Sequence, residues 1–338
     1  MKKLRTIDFY LIPLVFAGIT SVILRTYALL ASFNAISMHF DDKTAIGFAG
    51  GIVIVAIAGF LSYLFLGDKE TSLIARSDNA ASYIPAGIVC TALLFMGVRN
   101  IEMGIDGYPE GILRTLSLVS AILAFLSVGS FFISIFVEKN ESLVKAAFSL
   151  SIVFFLAVYA TFLFFNRQTH PTNSPNKVID QMAYISSAIF FLFESRIPLG
   201  RAKWRPYVAF GLIATLLTAY SAIPSIIVYL LTGGYLVSES IFENALSLAL
   251  SLFIFSKVIQ TKSLTQDVEC PEAGSIILMS KIREEEIENQ RKLSRANNNK
   301  VENDDAHDAS NYTFDIPYVD SSNEVTTNDA DIDISKSE

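Results

Sequence analysis

The sequence predicts an all-α protein: a polytopic helical membrane bundle of about eight transmembrane helices, followed by a cytoplasmic, largely disordered acidic tail. Three observations predict it. The 338-residue chain is 52% hydrophobic with a mean hydropathy of +0.45, above the roughly 45–50% apolar share of soluble domains. The excess lies between about residues 8 and 259, in runs of 17 to 26 residues with few charges, and ~20 such residues cross a ~30 Å hydrocarbon layer as a helix. Charge is split as well: residues 297–338 hold 11 acids and 2 bases, whereas the first 296 hold 24 bases against 22 acids. The acidic balance therefore belongs to the tail, and the apolar body is close to neutral.

The first expected span, 8–30, follows a basic start, MKKLR, like that of a signal peptide. Its length, its internal Arg25 and the lack of a convincing small-x-small site mark it as uncleaved. The second, 45–66, contains Gly47 and Gly51 at GxxxG spacing, which lets helices approach closely. The third, 82–98, is the weakest, being short with Pro85 in its first turn. Without it a seven-span topology would put the C-terminus outside. The remaining spans are expected at 112–137, 143–165, 178–196, 207–231 and 237–259, so that 1–262 forms the membrane domain. With the N-terminus inside, 13 Lys and Arg flank the cytoplasmic ends of eight spans and 5 the outer ends. That bias supports eight spans with both termini cytoplasmic.

The segment FESRIPLGRAKWRPY (193–207) carries four of those cations, Arg196, Arg201, Lys203 and Arg205. Pro198 stops the preceding helix, Gly200 permits a turn and Trp204 suits the interface where the next span begins. The segment thus reads as a hinge and topology anchor. Its cations are placed to meet anionic lipid headgroups, at ~1 kcal/mol per charge.

Beyond the last span, 263–296 forms a juxtamembrane segment with a short polar helix at 280–295. There the acids precede the bases and Glu288 is four residues before Lys292. Residues 297–338, rich in Asn, Asp and Ser, have too little apolar surface to offset the entropy of folding. Within them YTFDIPYVD (312–320) is the segment apolar enough to dock on a cytoplasmic protein partner. The plainer alternative is a solvating tail that binds nothing.

Polar groups inside the spans carry most of the functional information. Arg25 lies 16 residues past Phe9, ~24 Å along a helix, near the outer edge of the layer. Its side chain leans back toward the membrane interior, so a protein partner is expected. Asp180 and Gln181 open the sixth span, and Glu239 and Glu243, four residues apart, open the eighth. Arg25 paired with Glu243 or Asp180 forms a candidate outer ion-pair layer or solute site, with Asn244, Tyr27 and Tyr184 nearby. The bland reading of the acids is helix capping, since Ser174-Pro175 and Ser238-Glu239 match an N-cap and a first-turn residue. Pro224 in the seventh span removes an amide donor and frees the carbonyl of Tyr220, kinking the helix. Ser221 and Ser225 are candidates to re-satisfy it, or it faces a cavity.

No enzymatic, metal or cofactor signature is present. GxSxG, HExxH and Gly-rich phosphate loops are missing. Cys90 and Cys270 form no CxxC, and His39, His170 and His307 are scattered. No basic stretch interleaved with aromatics suggests nucleic-acid binding.

The stretch PNKVIDQMAYISSAIFFLFESRIPLGRAKW (175–204) resembles segments of uncharacterised multi-spanning bacterial integral membrane proteins. The shared feature is a span followed by a basic loop containing Pro and Gly. The resemblance implies a bacterial plasma-membrane location and no particular chemistry. The expected function is a non-catalytic sensor or scaffold with a cytoplasmic tail. The alternative is a small-solute transporter with an outer-leaflet polar site, and an intramembrane enzyme ranks third.

Overall fold

The computed structural model describes residues 6–34, 36–37, 39–65, 80–106, 111–136, 142–166, 174–197, 204–233 and 241–264, with Glu288, Asn289 and Lys292 beyond them. The chain divides into two units, Met1–Lys281 and Ile282–Glu338. In the second, Glu288 and Lys292 form the expected i,i+4 ion pair at 3.1 Å, well exposed to solvent. The tail 297–338, with its 312–320 segment, lies outside the described residues.

Among the described residues, the first unit contains eight helices: α1 Thr6–Ser32, α2 Thr44–Ser62, α3 Ala80–Ile105, α4 Ile112–Phe136, α5 Ser142–Phe165, α6 Pro175–Glu194, α7 Trp204–Thr232 and α8 Ile241–Leu264. Helices α3 to α8 pack in chain order, and α8 returns to α3, so the six close a ring. Outside it, α1 and α2 form a hairpin packed on α7. Two-residue strands, β1 Phe33–Asn34 and β2 His39–Phe40, pair antiparallel between α1 and α2, with Phe33 opposite Phe40. At the start of α2, Asp42 accepts the Thr44 backbone N–H at 2.8 Å. Hydrogen bonds from Thr44 hold that exposed carboxyl below its usual value.

Aromatic rings fill the middle of the ring. Phe131 of α4 lies 6.2 Å from Phe191 of α6 and 5.1 Å from Phe253 of α8, and the latter two stack at 5.8 Å. These three helices are not neighbours around the ring, so the rings meet across its centre. The outer surface is also apolar: Phe16, Val55, Ile84 and Leu230 each expose more than two-thirds of their area. Such a surface is unfavourable in water and suited to lipid.

Seven of the eight helices are long and apolar enough to cross a membrane, where eight spans were expected. The helix that differs is α6, not the weak third span. The third is strengthened because α3 continues to Ile105, seven residues past its expected end at 98. Helix α6 loses apolarity because it carries Asn176, Lys177, Asp180 and Glu194, all buried against protein. Its hydropathy is low for the same reason that it matters: its polar groups face inward.

Candidate functional site

The polar groups gather at one end of the bundle, where the C-terminal parts of α1, α3, α5 and α7 meet the first turns of α4, α6 and α8. The arrangement begins with a missing donor. Pro224 lies inside α7, so the carbonyl four residues earlier, that of Tyr220, receives no helical N–H. Arg25 fills the gap. From α1 its Nη1 donates to the Tyr220 carbonyl, and its Nη2 donates to Asn176 Oδ1 of α6 at 2.9 Å. The guanidinium also sits 4.8 Å from the centroid of the Tyr220 ring, in cation–π range. Arg25 is completely buried, and its Nε has no hydrogen-bond partner.

The same stretch of α7 is tied to α6 a second time, by Ser221 Oγ donating to Asp180 Oδ1. Ser225 Oγ donates to the Ser221 carbonyl at 3.1 Å, the ordinary back-bond of a helical serine. One turn before Asp180, Lys177 Nζ donates to the Asn166 carbonyl at 2.9 Å. That bond places a cation on the carbonyl end of α5, where the helix dipole favours it. Ser174 occupies the N-cap of α6 with extended backbone and Pro175 follows at the first helical position, but the serine side chain makes no cap hydrogen bond.

A second polar centre closes the ring. Arg99 of α3 and Glu243 of α8 form an ion pair at 3.0 Å across the seam between the ring's first and last helices. Tyr184 of α6 donates its hydroxyl to the Glu243 carbonyl at 3.2 Å and receives Ser247 Oγ at 3.2 Å. The Tyr159 ring of α5 meets Tyr184 edge-on at 5.3 Å. On the other side of α3, Asn100 Nδ2 donates to Ser120 Oγ at 2.9 Å and Ser117 Oγ donates to the Asn100 carbonyl at 2.8 Å, joining α3 to α4.

These contacts correct the expected pairing. Of the two partners expected for Arg25, Glu243 pairs with Arg99 and Asp180 accepts from Ser221, while Arg25 itself takes a backbone carbonyl and an amide. Tyr27 is 63% exposed and faces away from the layer, whereas Asn244 and Tyr184 are buried. The Gln181 amide nitrogen is buried without a hydrogen-bond partner. Glu239 lies outside the described residues. Pro224 does free Tyr220, but the group that re-satisfies it comes from another helix. Arg99 carries no such signal in the sequence, because the apolar run stops at Val98 and an arginine there looks like one of the cations that flank a span.

At the opposite end of the bundle, the Arg196 guanidinium lies 5.6 Å from the Phe193 ring and Arg205 is half-buried at the start of α7. Lys257, also buried, places Nζ 5.6 Å from the Phe253 ring. Arg201 and Lys203 lie outside the described residues.

The Gly47–Gly51 face behaves differently from the expectation of close helix packing. A Cβ added at either glycine would meet nothing within 4 Å. Both line an apolar groove of about 1020 Å³ between α1 and α2, whose other walls include Phe16, Ala17, Val55 and Gly59. None of the polar-layer residues lines that groove. Among the described residues, no group of three His, Cys, Asp or Glu side chains is arranged to hold a metal. Comparison of the chain with protein-family models, curated proteins and solved structures finds no match.

Proposed function

We propose that the protein is a multi-pass protein of a bacterial plasma membrane, with both termini cytoplasmic, that serves as a non-catalytic sensor or scaffold and offers its acidic tail to a cytoplasmic protein. The observation that carries this reading is the engagement of the polar side chains with one another. Arg25 is fully buried on Tyr220 and Asn176, Asp180 is tied to Ser221, and Glu243 to Arg99. A transport pathway instead calls for a polar site that lines a cavity, and none of these side chains lines the groove between α1 and α2. The seven long apolar helices support the membrane location; with α6, packed between α5 and α7, taken as the eighth crossing, the 13-to-5 bias of flanking cations supports the orientation. Arg196, Arg201, Lys203 and Arg205 would then meet anionic headgroups on the cytoplasmic face.

The test compares the full chain with a variant lacking 297–338, each purified after cross-linking in native membranes. The reading expects a cytoplasmic protein held in stoichiometric amount by the full chain and lost from the truncated one, with the thermal unfolding of the membrane body unchanged. Equal capture by both proteins, or by neither, contradicts it.

A second reading, small-solute transport through an outer-leaflet polar site, is favoured by two buried nitrogens without hydrogen-bond partners, Arg25 Nε and Gln181 Nε2, beside a proline-interrupted helix. The two readings part on water access. Ser221→Cys reacts with a membrane-impermeant maleimide if the layer opens during transport and stays unreactive if the layer is closed.

A further inference from the structure

Helix α2 is the least buried of the seven long apolar helices. It packs on α1 and α7, and its remaining face forms the groove of about 1020 Å³ shared with α1. On α2 the groove runs from Lys43, the N-cap, to Ser62. That is ~28 Å at 1.5 Å per residue, close to the ~30 Å of a hydrocarbon layer. Gly47, Gly51 and Gly59 lie exposed along it, and a Cβ at any of them meets nothing within 4 Å. Glycine inside a helix is destabilising relative to alanine, and within the protomer no neighbour comes near enough to use the space it leaves. In a membrane, small residues at four-residue spacing serve the close approach of another helix. Lipid is a poorer match, because a lipid lies in one leaflet and spans only half of such a groove.

We infer that two copies of this chain pair in the membrane through α2, about a two-fold axis along the membrane normal, each α2 lying in the groove of the other copy. Self-complementarity selects a second copy over an unrelated span. A two-fold interface presents one patch to itself, so the patch must hold recesses and projections together and, where it is charged, both signs. On α2 the glycines are the recesses. Phe48 and Val55, 66% and 72% exposed, are the projections, and both line the same groove. At one end of the groove Asp41, Asp42 and Lys43 follow one another in the chain, all exposed, and Lys43 is part of the lining. The two-fold axis brings the two copies of this segment together, so that each lysine faces the acids of the other copy. An unrelated span would have to supply matching knobs and charges of its own, whereas a second copy brings them at the same depth and in the same orientation.

The test counts photobleaching steps of the full chain, labelled once at its C-terminus and reconstituted into liposomes over a range of protein-to-lipid ratios. Wild type should pass from one-step to two-step particles as the ratio rises. Gly51→Leu fills a recess and should weaken pairing about tenfold or more; leucine is used because alanine is still small enough for close approach. Its unfolding midpoint in detergent should stay near that of wild type, since position 51 opens onto empty space in the protomer. Gly87→Leu is the control. Gly87 of α3 is exposed and equally open but lies outside the groove, so this variant should pair as wild type does. Lys43→Glu leaves only acids at its end of the groove and should weaken pairing about two- to fivefold. The inference is overturned if the inserted protein stays monomeric at every ratio, the outcome expected if lipid or another protein's span fills the groove. It is also overturned if Gly51→Leu or Lys43→Glu pairs as tightly as wild type, or if Gly87→Leu weakens pairing as much as Gly51→Leu. Pairing rests on the membrane location and goes beyond the sensor-or-scaffold reading, since it does not involve the tail. Protein that fails to float with the liposomes contradicts the location and the pairing together, whereas inserted monomers contradict the pairing alone.

Discussion

The Arg25 guanidinium illustrates how a buried charge is kept in an apolar bundle. Its two terminal nitrogens are matched to a backbone carbonyl and an amide oxygen, and its face to a tyrosine ring. Asp180 shows the complementary case, an acid whose bond partner is the Ser221 hydroxyl. Ser221→Ala removes the donor and leaves the carboxylate short of one hydrogen bond in a buried place. It should destabilise the protein by about 1–3 kcal/mol, read as a lower midpoint of thermal unfolding, whereas Ser225→Ala, which removes only a local back-bond, should change it little. Part of this chemistry was legible in the sequence. Arg25 announced that it needed a partner, and Pro224 announced that Tyr220 needed a donor. That the two needs meet was hidden, because one side of the contact is a backbone atom and no side-chain type signals it. Arg99 was hidden for another reason: a charged residue after an apolar run reads as a loop, and only the ring's closure onto α8 reveals its acid.

At the scale of helices, α6 was legible as a helix but not as the polar spine of the bundle. Its apolar run set the boundaries, and its polar residues lie on faces whose neighbours, α5 and α7, are fixed only by the tertiary packing. Glycines divide along the same line. A Cβ at Gly211 of α7 would lie 2.6 Å from Val258 Cγ2 of α8, whereas one at Gly51 of α2 meets nothing within 4 Å. GxxxG spacing identified the second position and gave no hint of the first, since spacing reports what a helix permits and not which helix arrives. Gly211→Ala is therefore expected to overpack the α7–α8 contact and cost about 1–3 kcal/mol. Gly51→Ala should be neutral or stabilising by up to about 1 kcal/mol, through better helix propensity alone. Denaturation of the two variants in the same lipid or detergent decides it. Equal losses would mean that the α1–α2 groove is filled when the protein is in a membrane.

For the molecule as a whole, the all-helical architecture and most helix positions follow from apolar run length. Ring closure and the external α1–α2 hairpin do not, because apolar surfaces facing lipid and facing protein look alike in composition. What distinguishes the hairpin is its polar tie: it rests on α7, and Arg25 joins it there to the carbonyl that Pro224 leaves open. The central claim is that this proline and this arginine, on different helices, answer each other. A double-mutant cycle of Arg25→Met and Pro224→Ala in the purified protein tests it most directly. Alanine at 224 restores the amide that the Tyr220 carbonyl lacks, so losing Arg25 should cost less in that background, with a coupling of about 1–3 kcal/mol. If Arg25→Met costs the same whether residue 224 is proline or alanine, the two do not act on one carbonyl, and the account of how the hairpin is held to the ring is wrong.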